Sequence, residues 1–330
     1  MIRFSTTVLA AVLVAVGSTG AAAPHAPLDS GVTIRAHRSE IDFSHVWDVA
    51  AGPDGTVAAT HWAPSSLLVA SARDLDRVRA VAVPSRDSQP WRIAFAPDGR
   101  AIFTEVKGSY DAHRSGGRDQ VGILERGRVR EMQLPTSRTR RGLYGVAVQA
   151  NHVYVTAVGK LVKLGFDGRY AEIAAPGAAY TAIASNARRI AFASNSGTVL
   201  EVLTAGGNRA EDIALDSPHV RIERLTFCPP DDLWAGMQTE RHTAAVGYIG
   251  PRGHVQMYDA GPGQLTGIAC TSHDNVWFVA QRPDRVGRII AGRLQWWPLT
   301  PGAAPVGLAV MGAQRFVTAT RQGFVEIANP

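Results

Sequence analysis

The chain of 330 residues is poor in the patterns that announce most protein classes. Long amphipathic stretches with a 3.6-residue period are hard to find, which points away from helical folds and towards an all-β one. Beyond the N-terminal apolar segment no run is long enough to cross a bilayer, so no membrane span is expected. No GxSxG, HExxH, Walker-type or dinucleotide fingerprint occurs, and the enzyme classes those motifs serve are left without support. Lysine is scarce: apart from Lys107, Lys160 and Lys163, the cationic charge is all arginine. The net charge of +6 has neither stacking aromatics nor a known module beside it, so no nucleic-acid partner is expected. The densest basic patch, SRTRRG (137–142), with Arg126, Arg128 and Arg130 just upstream, reads as solvated surface.

What is present is globular and rich in turns: 45% apolar and 19% charged residues, with 33 glycines and 19 prolines. The first residues form a removable leader. Arg3 supplies a positive start, VLAAVLVAV (8–16) an apolar core, and STGAAA (18–23) the small residues of a cleavage site. Cleavage is expected after Ala21 or Ala22, because Pro24 blocks a later cut. Residues 1–23 are therefore read as a secretory signal, and 24–330 as one domain of a secreted or periplasmic monomer.

That domain repeats itself. IAFAPDGRAIFTE (93–105) is a short apolar run, a Pro-Asp-Gly turn and a second apolar run. Its first apolar residue has counterparts at Val49, Val146, Ile183, Leu225, Ile268 and Leu308, spaced 37 to 53 residues apart. Such a period without helices is the length of a four-stranded propeller blade. Blade 2 continues with QVGILE, RGR and VREMQLP, and blade 6 repeats it as TGIACT, VWFVAQ, RVGRII and LQWWPLT. The last repeat lacks an outer strand, while GVTIRAHR (31–38) has the period-two pattern of one. A seven-bladed β-propeller follows, its ring closed by the N-terminal strand. Cys228 and Cys270 fall one position out of register in neighbouring repeats, which leaves both a disulfide and two buried free thiols open.

The repeat resembles that of the streptogramin lyase family, whose blades read "GPDG-x-ϕWFTE", "N-x-IGRI" and "I-x-E-ϕ-x-LP". The matching text is IAFAPDGRAIFTE, DQVGILERGRVREMQLP, VWFVAQRPDRVGRI and DVAAGPDGTVAAT, spread over roughly residues 31–330. The resemblance implies a propeller with a site on one end of the ring, where histidines, glutamates and a magnesium ion open a cyclic peptide lactone by elimination. At the positions of the family's histidines stand Thr266 and Val306, and Ala304 replaces a glutamate. Neither Thr266 nor Val306 can act as an imidazole base. Magnesium enters only if the lyase reading holds.

The start of each inner strand and the end of the next should meet at one rim. The inner-strand entries are Trp47, Trp91, Tyr144, Thr181, Glu223, Thr266 and Val306. The second strands end at His61, Glu105, Ala157, Ser194, Met237, Ala280 and Ala319. Polar and aromatic groups gather in blades 1 to 3. Trp47, Trp91 and Tyr144 would floor a binding site, with Asp48, Arg92, Glu223 and Thr266 offering hydrogen bonds. Alternatively the two tryptophans plug the channel. His61 and Glu105 would sit at one height on adjacent blades, suited to proton abstraction or to holding a metal. The leading expectation is a small molecule or protein partner bound at this rim. The alternative is a metal-assisted lyase or hydrolase of a lactone or ester, with His61 as base, Glu105 orienting it and Arg92 stabilising negative charge. The loop 107–120 carries Tyr110, Asp111 and His113 beside Glu105, QTERHTA (238–244) carries His242, and SHDN (272–275) is read as a turn on the opposite face.

Overall fold

The computed structural model describes residues 31–85, 88–106, 120–134, 143–194, 199–204, 211–217 and 220–329. The leader, the loop residues Tyr110, Asp111 and His113, and the basic patch 137–142 lie outside the described residues. Every described regular element is a strand, and none is a helix long and apolar enough to cross a membrane.

Strand β1 (Thr33–Arg38) precedes blade 1, which is β2 (Val46–Ala51), β3 (Thr56–Trp62), β4 (Ser65–Ser71) and β5 (Asp74–Ala82). Blade 2 is β6 (Pro90–Phe95), β7 (Ala101–Glu105), β8 (Gln120–Glu125) and β9 (Arg128–Gln133). Blades 3 and 4 are built from β10 (Leu143–Gln149), β11 (His152–Gly165), β12 (Tyr170–Ser185), β13 (Arg189–Ser194), β14 (Val199–Thr204) and β15 (Glu211–Ala214). Blade 5 is β16 (Val220–Cys228), β17 (Asp232–Thr239), β18 (Thr243–Ile249) and β19 (Val255–Pro262). Blade 6 is β20 (Gln264–Ser272), β21 (Asn275–Gln281), β22 (Arg285–Ile290) and β23 (Arg293–Pro298). The chain ends in β24 (Val306–Gly312), β25 (Arg315–Thr320) and β26 (Gly323–Ala328). All pairings are antiparallel, and the seven blades form the expected propeller.

The repeated text has local causes. In the Pro-Asp-Gly turn of blade 2, Asp98 Oδ1 accepts the Arg100 amide at 3.2 Å, and Gly99 takes φ of 87°, a left-handed value that favours glycine. Further along, Phe103 of β7 lies opposite Gly122 of β8, where a Cβ would come within 2.0 Å of the ring. Phe278 and Gly287 repeat the arrangement in blade 6, so the "WF" and "VG" of the motif are two halves of one packing unit. The second and third strands are buried along most of their length, and the apolar clusters lie between consecutive blades.

Ring closure follows the sequence expectation. β1 pairs with β26 from Thr33↔Ala328 to Arg38↔Gly323, giving the order β1-β26-β25-β24. The seam is reinforced by His37, whose Nδ1 lies 3.1 Å from Asp76 of blade 1 and whose Nε2 lies 3.4 Å from Glu326. One departure is the continuous β12, which pairs with β11 in its first half and with β13 in its second. The inner strands of blades 3 and 4 have the shortest spacing, so the outer strand of one runs directly into the inner strand of the next.

The two cysteines form a disulfide joining β16 to β20, with Cα atoms 5.5 Å apart. A register shift between Cys270 and Ser272 accompanies their offset in the repeat. The SHDN segment is a turn, as expected, with His273 and Asp274 linking β20 to β21.

Candidate functional site

The inner strands β2, β6, β10, β12, β16, β20 and β24 enclose a cavity of about 150 Å³. Each contributes two consecutive residues to its wall. One layer is branched and apolar throughout: Val49, Ile93, Val146, Ile183, Leu225, Ile268 and Leu308. The layer above it is Asp48, Arg92, Gly145, Ala182, Arg224, Gly267 and Gly307.

A regular strand sends consecutive side chains to opposite faces, so this wall needs an irregularity. All seven inner strands have one at this point. Their registers shift between Val46 and Asp48, Pro90 and Ile93, Leu143 and Val146, Tyr180 and Ala182, Ile222 and Arg224, Leu265 and Gly267, and Val306 and Ala309. Such bulges re-aim side chains and bend the strand. Threonines on the second strands hold the bulged backbone. The Thr60, Thr104 and Thr156 hydroxyls accept the amides of Asp48, Arg92 and Gly145 at 3.0, 3.2 and 2.7 Å. Thr60 and Thr104 also donate to the Trp91 and Tyr144 carbonyls, both at 2.9 Å, stitching each blade to the next.

The charged members of the upper layer converge. Asp48 Oδ1 is 3.8 Å from Arg92 Nη1 and 3.8 Å from Arg224 Nη2, and the three side chains are 13%, 14% and 16% exposed. These separations exceed hydrogen-bond length. Asp48 Oδ2 accepts the Ile93 amide at 3.3 Å, and Arg224 Nε donates to the Thr266 carbonyl at 2.8 Å. Burial raises the Asp48 carboxyl to about 6, against the opposite pull of Arg92 and of the Ile93 and Val49 amides. Burial likewise lowers Arg92, which Asp48 and Glu223 hold up. Desolvation prevails over a pairing that is close but not hydrogen-bonded.

At the entries, Trp47 and Trp91 stack with ring centroids 3.8 Å apart. Tyr144 is half-buried beside them in the repeat order. Glu223 pairs with Arg221 of its own strand. The Thr266 hydroxyl is committed to the Pro305 carbonyl at 2.7 Å. Asp48 and Arg92 are thus brought together, whereas Thr266 serves the backbone.

His61 and Glu105 occupy equivalent ends of β3 and β7 and are buried, at 2% and 0% exposure. Among the described residues no hydrogen bond or ion pair joins His61 to Glu105. The Ser66 hydroxyl donates to the Pro64 carbonyl at 3.1 Å and so accepts from His61 Nδ1–H at 3.2 Å. Burial lowers the His61 pKa, keeping the ring neutral, and its Nε2 is buried without a partner. His242 sits at positive φ in the turn between β17 and β18. Among the described residues no group of three or more His, Cys, Asp or Glu could hold a metal ion.

Arg224 escaped the sequence reading, which followed the entry column and stopped at Glu223. The next column, read in chain order, contains one Asp and two Arg among small residues, and that contrast was the available signal.

Fold and channel define a seven-bladed propeller with one aspartate and two arginines gathered in a single layer of its channel wall. No family model and no curated protein matches the sequence. Among solved structures, the fold is similar to a streptogramin B lyase, at TM-score 0.78 and 19% identity, covering 92% of this chain and 100% of that one. Virginiamycin B lyase from Staphylococcus aureus is similar at TM-score 0.77 and 15% identity, covering 90% and 99%. YCF48 bound to a D1 peptide is similar at TM-score 0.67 and 11% identity, covering 95% and 99%. At these identities the likeness is one of fold, and the resemblance drawn from the repeat holds at that level.

Proposed function

We propose that this chain is an exported propeller that binds a small molecule or a protein partner at the channel rim of blades 1–3, acting as a monomer and not as a lyase. The observation that carries the reading is the Trp47–Trp91 stack set directly before Asp48 and Arg92, an apolar surface adjoining buried charge. Export is supported by the leader-like N-terminus and by the disulfide, which oxidising compartments favour. A protein partner stays in view because a similar propeller was solved with a D1 peptide. Against lactone chemistry stand Thr266 and Val306 where the lyase resemblance asks for histidines, and a His61 ring only 2% exposed whose Nδ1 is engaged with Ser66.

The test is mass-resolved chromatography of the mature protein with a panel of cyclic lactones, with and without magnesium. No product is expected in either condition. A new peak of unchanged mass would establish elimination and a gain of one water hydrolysis; either would overturn the binding reading, and loss of that product in His61→Ala would assign the base. In parallel, tryptophan fluorescence against a small-molecule library should report ligands whose signal disappears in the Trp47→Ala/Trp91→Ala variant.

A further inference from the structure

We propose that the channel mouth is a site for a small organic carboxylate, seated between Arg92 and Arg224. The inference rests on the reading that the rim of blades 1–3 takes a ligand, and it names the ligand's chemistry.

Three observations converge on it. First, the site is short of negative charge. Two buried guanidiniums face Asp48 without reaching it within hydrogen-bond distance. Asp48 itself is driven towards its neutral form by burial, which leaves Glu223, close to Arg92, as the remaining negative charge. Arg92 Nη1 is buried without a hydrogen-bond partner, although a guanidinium carries five N–H donors. Arg224 Nε is tied to the Thr266 carbonyl, which orients the head while leaving its outer nitrogens beside Asp48. A planar carboxylate matches such donors in a two-pronged fashion. Burying charges without compensation is costly, so a matching anion is favoured there.

Second, there is room. Four of the seven positions in the layer are glycine or alanine, and the cavity holds about 150 Å³. That is enough for a carboxylate on a short stem, since a water takes about 30 Å³ of the liquid. The smallness at Gly307 is enforced: it has φ of 62°, and a Cβ there would lie 2.7 Å from Asp48 Oδ1.

Third, the balance of charge selects a monoanion. With Glu223 beside Arg92 and Asp48 protonated, Arg92 and Arg224 leave one net positive charge, which a carboxylate neutralises and a phosphate dianion would invert. Asp48 need not repel the ligand. Its carboxyl is already raised towards 6 by burial, so it can take a proton and donate it to the bound carboxylate. Trp47 and Trp91, next in the chain to Asp48 and Arg92, lie outside the cavity wall, so the group attached to the carboxylate meets the indoles only by projecting out of the cavity, and an aromatic acid fits best.

The experiment is calorimetric titration of the mature protein with benzoate, its neutral analogue benzamide, acetate and inorganic phosphate at low salt. Benzoate is expected to bind at least tenfold more tightly than benzamide, and more tightly than phosphate. That preference should fall below twofold in Arg224→Gln and in Arg92→Gln. Should a glutamine variant fail to fold, Arg224→Lys, which keeps the charge but loses the planar fork, should still weaken benzoate more than benzamide. The benzoate to benzamide ratio of the unaltered protein needs no variant at all. Equal binding of the two would overturn the inference while leaving the rim reading intact. A preference that survives both arginine changes would place the anion elsewhere and also overturn it. Phosphate binding more tightly than benzoate would do the same. Acetate binding that depends on the arginines, without any effect of Trp47→Ala, would support the carboxylate site and count against the aromatic rim.

Discussion

Trp47 and Trp91 stack face to face across the boundary between blades 1 and 2, with 3.8 Å between ring centroids and 27° between planes. Their backbones are joined as well, because the Trp91 carbonyl accepts the Thr60 hydroxyl that holds the Asp48 amide. Each ring therefore hides one face of the other. Aromatic pairs of this kind contribute roughly 0.5–1.5 kcal/mol beyond the area they bury. A double-mutant cycle in urea with Trp47→Ala, Trp91→Ala and both changes should return a coupling of about 1 kcal/mol. Additive losses would mean that the rings do not stack in solution.

Asp48 gives a second prediction, this one in pH. It faces Arg92 on β6 and Arg224 on β16, while β3 presents Thr60 and β24 presents Gly307, neither of them titratable. Its carboxyl is raised from 3.8 to about 6 on folding, so the folded state holds a proton that the unfolded state has released. The stability from that proton is full below pH 3.8 and is lost as pH rises through 6. Asp48→Asn should consequently stabilise the protein at pH 7 by about 3 kcal/mol, from a shift of roughly two units at ~1.36 kcal/mol each. The gain should shrink to nothing near pH 4. His61, whose lowered pKa acts in the other direction, is common to both proteins and cancels. Denaturant melts of the two proteins at several pH values decide it, and a gap that is constant with pH would refute it.

The disulfide offers a third. Cys228 and Cys270 lie 42 residues apart and link the inner strands of blades 5 and 6. Closing a loop of that length in the unfolded chain is worth about 4 kcal/mol in the chain-entropy account. Cys228→Ser/Cys270→Ser, or reduction of the native protein, should lower the urea midpoint accordingly. An unchanged midpoint would show that the bridge adds little to what the strand pairing already holds.

Much of the fold was legible because its causes are local. Pro-Asp-Gly turns, the pairing of Phe103 with Gly122 and of Phe278 with Gly287, and the unmatched strands at the two ends are all written in short stretches. The site was legible only in part. The entry column and the two charged residues after the tryptophans were legible, but a bulge at the entry of every inner strand turns the whole next column into the channel. The bulges answer to partners distant in sequence, such as Thr60 holding Asp48 and reaching Trp91 in the next blade. Hence Arg224, one residue past the column that was followed, was missed. His61 and Glu105, expected at the rim, are buried there, at 2% and 0% exposure.

Ring closure supplies the last prediction. β1 lends blade 7 its outer strand through six paired positions, and His37 ties that strand to Asp76 and Glu326 on either side of the seam. A variant starting at Ser39 would leave the backbone of Gly323–Ala328 as an open edge, with Phe324 and Ile327, now fully buried, at the weakened blade. Unpaired edges recruit other chains. The truncated protein should melt well below the full-length one and associate with itself, as read by light scattering after size exclusion. Adding a peptide of residues 31–38 in excess should restore a monomer, because the missing strand then binds as a separate piece and only the folded ring offers it a partner. A truncated protein that stays monomeric and melts unchanged would show that the other three strands of blade 7 close the ring unaided.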